Sequence, residues 1–175
     1  MRKIIIFIFL VLTFICSCTE KSETPKALEN LNSEMQKVDE HLNNAIKLQP
    51  NNAENYNKRG EAYYNLNQYQ RALNDFNKAI SLKQDYVLTY SNRGSTYFNL
   101  GQYQQAIEDL NKAIRLQPDF EKAYRNRAIV YLNRGNTKLG CADAHKACEL
   151  RNCEVLEWAK GKGVFCPWFD RRLYH

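Results

Sequence analysis

The 175-residue sequence contains no HExxH, no GxSxG and no GxxxxGK[ST]. That removes the usual supports for metal-assisted hydrolysis, acyl transfer and nucleotide binding, and Gly161-Lys162-Gly163 is too short to cradle phosphates. Histidine is scarce and dispersed, at His41, His145 and His175. Only His145 lies near cysteines, and the spacings of Cys141, Cys148, Cys153 and Cys166 resemble no zinc ribbon. No catalytic residue, metal or cofactor is therefore expected. Runs of one charge sign are also missing. The formal charge is +6, and without Arg2 and Lys3, which fall in a leader, 23 basic residues face 19 acidic ones, a net of +4. Basic and acidic residues interleave along helical faces, which describes a solvated surface and excludes nucleic acid as an expected partner. No apolar run reaches the roughly 20 residues of a membrane-spanning helix.

The longest apolar run, Ile4 to Leu12, follows Arg2 and Lys3 and leads into Thr13, Phe14, Ile15, Cys16 and Ser17, the layout of a secretory signal over residues 1–17. Ile15-Cys16-Ser17-Cys18 resembles the lipobox of bacterial lipoproteins, with an aliphatic residue three before the cysteine and a small one directly before it. The resemblance implies cleavage before Cys18, lipidation of Cys18 and stable anchoring, since each buried methylene contributes about 0.8 kcal/mol. Thr19 and Glu20 lack the Asp that often retains such proteins at the inner membrane, so the outer membrane of a bacterial envelope is the expected address. Residues 18–26 are polar and read as a tether.

What the sequence has in abundance is repetition. Tyr56, Tyr90 and Tyr124 stand 34 apart, as do Arg59, Arg93 and Arg127, then Tyr63, Tyr97 and Tyr131, then Asn65, Asn99 and Asn133. Ala45, Ala79, Ala113 and Ala147 form another column, and Leu48, Leu82, Leu116 and Leu150 a further one. A fixed period of this size marks stacked supersecondary units, none of which buries its apolar face alone. The spacing predicts an all-α solenoid of helix pairs. Its parts are a half-repeat helix over 27–52, units at 53–86, 87–120 and 121–154, and a capping helix and tail over 155–175. Each unit reads as two antiparallel helices: 53–66 with 69–82, 87–100 with 103–116, and 121–134 with 137–150. Asn67, Gly101 and Gly135 supply the turns within units, while Pro50 and Pro118 fall between units.

Tyr56, Gly60, Tyr63, Ala72, Phe76 and Ala79, closed by Pro118 in its own column, resemble the tetratricopeptide repeat. The third unit departs from it: Ala128 replaces Gly, Arg134 replaces Leu, Thr137 replaces Tyr and Gly140 replaces Ala, so looser packing is expected there. Trp158 restarts the Tyr56 column. The closing Val164 to Tyr174, with Phe165, Trp168, Phe169 and Tyr174, reads as a cap over the last helix pair.

With Cys18 assigned to lipid, Cys141, Cys148, Cys153 and Cys166 remain in an oxidising compartment, and two disulfides are expected. Cys141 and Cys148 lie two helical turns apart, about 10 Å, beyond the ~7 Å limit for a bridge. Of the two pairings left, Cys148–Cys153 with Cys141–Cys166 is preferred.

At 100° per residue, Tyr56, Gly60 and Tyr63 share one face of the first helix, and Glu54, Asn57, Glu61, Tyr64 and Asn65 the other. Stacking aligns the second set into a concave strip with an apolar row (Tyr64, Phe98, Leu132) and an amide row (Asn65, Asn99, Asn133). In tetratricopeptide-repeat proteins this strip holds extended peptides, which implies a protein or peptide partner. The amides either pair with that peptide's backbone or satisfy helix-end carbonyls. Charge grades from Glu54 and Glu61 to Lys122 and Arg125, so a ligand's acidic end is expected over the third unit. Asn92 and Lys122 fit the carboxylate clamp of chaperone-binding members, whereas Asn57, Glu61 and Asn126 stand where Lys, Asn and Arg are expected, which argues against chaperone tails. Two functions follow: an envelope adaptor with a peptide groove, or a permanent structural subunit of an envelope assembly.

Overall fold

The structure is a computed structural model that describes Ser33 and residues 39–167. The expected leader, Cys18, the tether and Trp168, Phe169 and Tyr174 lie outside the described residues. Among these there are eight helices and no strand. They are α1 (39–48), α2 (Ala53–Asn65), α3 (Tyr69–Leu82), α4 (Val87–Asn99), α5 (Tyr103–Leu116), α6 (Glu121–Asn133), α7 (Thr137–Glu149) and α8 (Glu154–Gly161). No described helix is long and apolar enough to cross a membrane. Contacts run between neighbours in sequence, α2 with α3, α4 with α5 and α6 with α7, and then from each pair to the next. This is the all-α, right-handed α-solenoid.

Turn chemistry sets the helix ends. Asn67, Gly101 and Gly135 take φ of 57°, 73° and 75°, the left-handed region that glycine and asparagine enter most readily. The following amides fold back: Gln68 donates to the Tyr63 carbonyl at 2.9 Å, Gln102 to that of Tyr97 at 2.8 Å and Asn136 to that of Tyr131 at 2.9 Å. Between repeats the chain leaves through the extended residues Lys83 and Gln117. The third exit differs. Arg151 has φ 76° and Asn152 donates to the Ala147 carbonyl at 2.9 Å, the turn used inside repeats. That tighter turn brings the α-carbons of Cys148 and Cys153 to 4.1 Å, and the sulfurs are paired.

The core is spread along the stack, as nearest-neighbour packing requires. Tyr63, Ala72 and Phe76 pack in the first repeat. Tyr90, Ala106, Ile107, Leu110, Ala123 and Val130 pack across the second and third, and Ala128, Ala144, Val155 and Leu156 at the end. Glycine permits the closest approaches. A Cβ on Gly60 would stand 2.6 Å from Phe76 Cε1, and one on Gly94 2.9 Å from Leu110 Cγ and 3.2 Å from the Ala106 carbonyl oxygen.

Three expectations change. The third repeat is not loosely packed: Ala128 and Ala144 are fully buried, and a Cβ on Gly140 would meet Leu132 Cγ at 2.5 Å and Leu132 N at 3.1 Å. Where Phe76 and Leu110 fill the earlier repeats, small Ala144 stands, and Leu132 packs down on Gly140 instead. Leu48 belongs to the leucine column but is 83% exposed. Leu116 and Phe120 pack together against the central cluster, whereas Asn52 occupies the Phe120 column and brings no ring to cover Leu48. Phe165, expected in the cap, is 81% exposed. Its neighbour Cys166 turns inward to Cys141, with α-carbons 5.3 Å apart, and successive residues of a non-helical segment point to opposite sides.

Candidate functional site: the concave groove

Two sets of repeated side chains build the groove's scaffold. The first was only half visible in the sequence. Arg59, Arg93 and Arg127 each grip an aspartate of their own repeat through Nε and Nη2, all six contacts at 2.7 Å: Asp75, Asp109 and Asp143. Each Nη1 crosses to the preceding repeat, to Asn43 Oδ1 at 2.6 Å, to Asn77 Oδ1 at 2.7 Å and to Asn111 Oδ1. Each guanidinium also lies between two tyrosine rings, Arg93 at 5.6 Å from Tyr90 and 5.8 Å from Tyr97, which accounts for the Tyr-Arg-Tyr columns. The aspartate and asparagine columns also repeat every 34 residues and are the signal that finds this ladder.

Burial pushes the Asp109 and Asp143 carboxyls above their ordinary value, against the lowering pull of Arg93 and Arg127. Burial is the largest influence and works against the charge of Arg93, but the bond to Asp109, that carboxylate's charge and the two tyrosines together outweigh it and hold the guanidinium above its ordinary value. The same contest, with the same result, holds for Arg127 and Asp143.

The second set is the wall between repeats. Lys122 Nζ donates to Asn92 Oδ1 at 2.9 Å, and Asn92 Nδ2 donates to Glu61 Oε1 at 2.6 Å and Asn57 Oδ1 at 3.2 Å. Thr89 Oγ1 donates to Asn57 Oδ1 at 2.9 Å, and Asn126 Nδ2 to Ser95 Oγ at 2.8 Å. Glu61, Tyr64, Asn65, Asn92, Lys122 and Arg125 thus surround one cavity of about 330 Å³, completed by Phe76, Ser95 and Asn126. A smaller cavity of about 110 Å³ adjoins it and shares Tyr64, Ser95 and Asn126. It adds Phe98, Asn99, Leu110, Ile129 and Val130. Ser95 and Ile129 stand in the column of Glu61, and those two positions are what sequence reasoning passed over.

Not every expected groove residue faces the groove. Asn57 is 1% exposed; its carbonyl oxygen is taken by Thr89 and Asn92, so it braces the wall and offers a ligand nothing. Asn92 is buried too and acts through Lys122 and Glu61. In the amide row Asn65 lines the larger cavity. Asn99 donates to Tyr64 OH at 2.9 Å and to the Ser95 carbonyl at 3.2 Å, and Asn133 to the Ile129 carbonyl at 2.9 Å. The helix-carbonyl reading therefore holds for Asn99 and Asn133, each with its amide carbonyl still available to accept. Asn133 lies outside both linings.

The cationic end is polarised. Burial pushes the Lys122 ammonium below its ordinary value, with Glu61 pulling it the other way. Arg125 Nη1 pairs with Glu154 at 3.0 Å, while its Nε is buried without a hydrogen-bond partner. Among the described residues no group of His, Cys, Asp and Glu is placed to hold a metal ion.

Residues 41–74 and 87–120 match tetratricopeptide-repeat families, and 60–101 matches a TPR-repeat family: the chain carries tetratricopeptide repeats. No curated protein sequence matches it. Among solved structures it is similar to the TPR domain of Arabidopsis OM64, at 28% identity over 63% of this chain and 92% of that one, TM-score 0.60. It is similar to MamA at 27% identity over 73% and 71%, TM-score 0.61. The first TPR of Spaghetti (RPAP3), bound to the HSP90 peptide SRMEEVD, shares the fold at 23% identity over 63% and 90%, TM-score 0.59.

Proposed function

We propose that this protein is a lipid-anchored adaptor of the bacterial envelope, tethered through Cys18 at the outer membrane, that holds a protein or extended peptide partner in its concave groove without catalysis. The tetratricopeptide repeats make protein–protein interaction the class of function. The observation that carries the finer reading is the pair of adjoining cavities, one polar with a cationic end and one largely apolar. An extended segment laid across them places an acidic group against Lys122 and Arg125 and an apolar side chain against Phe98 and Ile129. Asn57 is buried and Glu61 is anionic, so a ligand with carboxylates along its whole length is disfavoured, and chaperone tails are not the expected partners.

A photo-crosslinking residue at Asn65, compared in intact cells with one at Lys78 outside the groove, tests the reading. Capture of one defined partner from Asn65 and not from Lys78, lost in Arg125→Ala protein of unchanged helicity, is the expected result. Equal capture from both positions sinks the groove as the binding surface. The anchor is checked by mass spectrometry of membrane-extracted protein, where an unmodified terminus at a residue other than Cys18 overturns it.

A further inference from the structure

The arginine ladder stops before the solenoid does. At the earlier junctions an arginine of the next first helix reaches back to Asn43, Asn77 or Asn111. At the last junction α8 stands in the first-helix place, packed on α6 and α7, but Gly161 fills the arginine column and His145 the asparagine column. Among the described residues no guanidinium occupies the space between α7 and α8, which forms a groove of about 500 Å³. Ala142, His145 and Glu149 line one side and Leu156 and Lys160 the other. It is larger than either cavity of the concave face.

The chain's own course leads into it. Cys166 lines the groove and is paired with Cys141 of α7. His145 Nε2 then donates to the Pro167 carbonyl at 3.0 Å, making with a backbone oxygen the contact that the asparagines make with arginine elsewhere. Eight residues follow, Trp-Phe-Asp-Arg-Arg-Leu-Tyr-His. Half of them are large and apolar or aromatic, and Phe169 and Leu173 are spaced to share a face if the segment turns. Arg171 and Arg172 are opposite in charge to Glu149 and Glu157, which stand on opposite rims and pair along their own helices with Lys146 at 3.0 Å and Lys160 at 2.8 Å.

We propose that the groove between α7 and α8 is the docking site of the chain's own C-terminal segment. Trp168, Phe169 and Leu173 fill it, and the Cys141–Cys166 disulfide holds the segment at its mouth. This stands independently of what the concave groove binds.

The sequence has two tryptophans, so Trp158→Phe in the full chain leaves Trp168 as the sole reporter. Trp168 emission is expected to be blue-shifted, and its quenching by acrylamide severalfold weaker than in urea. Ala142→Arg, on the groove wall, is expected to restore most of the quenching with unchanged helicity. If Ala142→Arg lowers helicity, removal of residues 168–175 serves instead, and a severalfold rise in binding of a hydrophobic dye to the folded protein is expected. Trp168 quenched as freely as in urea overturns the proposal. So does shielding that is indifferent to the groove variant, dye binding that does not rise, or shielding that fades on dilution, which would put a second copy in the groove.

Discussion

Asp109 shows how a buried charge is kept in this fold. Its side chain is 9% exposed and receives two nitrogens of Arg93, itself 18% exposed, at 2.7 Å. Removing one member of such a pair leaves the other uncompensated, which costs more than the pair contributes. Arg93→Ala is expected to destabilise the protein by about 3 kcal/mol at neutral pH, the low end for a buried pair because the arginine is partly wet. The pH dependence has a definite sign. Burial already raises the Asp109 carboxyl, and Arg93 is what opposes that. Without the arginine the folded-state value rises further above the unfolded one. The cost is then complete above the folded value and fades as pH falls toward the ordinary aspartate range. Urea unfolding of wild type and variant at neutral and mildly acidic pH measures it; a difference that widens on acidification is the wrong sign for this account.

Within single elements, repeat three carries its own compensation. A column otherwise filled by Ala72 and Ala106 holds Gly140 there, and replacement by alanine would be chosen on helix propensity, worth about 1 kcal/mol in favour. The Cβ would meet both the side chain and the backbone nitrogen of Leu132, and overpacking of that kind costs about 1–3 kcal/mol. Gly140→Ala is therefore expected to be destabilising by about 1 kcal/mol net; thermal unfolding decides it, and a stabilised variant refutes the packing argument. The disulfides divide the same way by loop length. Cys141–Cys166 closes a separation of 25 residues and Cys148–Cys153 one of 5. Loop entropy gives about 3.5 and about 2 kcal/mol. Serine at both positions of the longer bridge should lower the urea midpoint more than at both positions of the shorter, and the reverse order would show that the turn at Arg151 matters more than loop length.

The repeat helices were legible because their signals are local and repeated: each of the six forecast for the three units ends within one residue of the observed one, and Asn67, Gly101 and Gly135 make the turns. What was not legible depends on which neighbour a side chain meets. Asn57 and Glu61 sit one turn apart on one helical face, yet the first is sealed behind Thr89 and Asn92 while the second reaches the cavity. Periodicity gives the face and not the depth. Gly140 was read as a lost contact because a column records residue size, whereas the space is shared with Leu132 from another column. The aspartates of the ladder were passed over because a charged column on a helix ordinarily means solvent.

At the scale of the whole solenoid, charge is graded along the concave face, from Glu61 in the first repeat to Lys122 and Arg125 in the third. If a partner's acidic group sits against the third repeat, its binding must be linked to the proton on Lys122. In the free protein burial holds that ammonium below the ordinary lysine value, and a carboxylate brought beside it favours the charged form and raises it again. Affinity is then complete below the free-state value and declines as pH rises through it, starting before an exposed lysine would titrate. Added salt weakens the same contact. Lys122→Gln removes the alkaline decline while lowering affinity at neutral pH, and Arg125→Ala lowers affinity but leaves the decline in place. Titration of a captured partner across neutral to alkaline pH, with both variants, reads the orientation directly. Affinity that stays level up to the ordinary lysine range, or a decline that survives Lys122→Gln, would mean that the acidic end does not lie over repeat three.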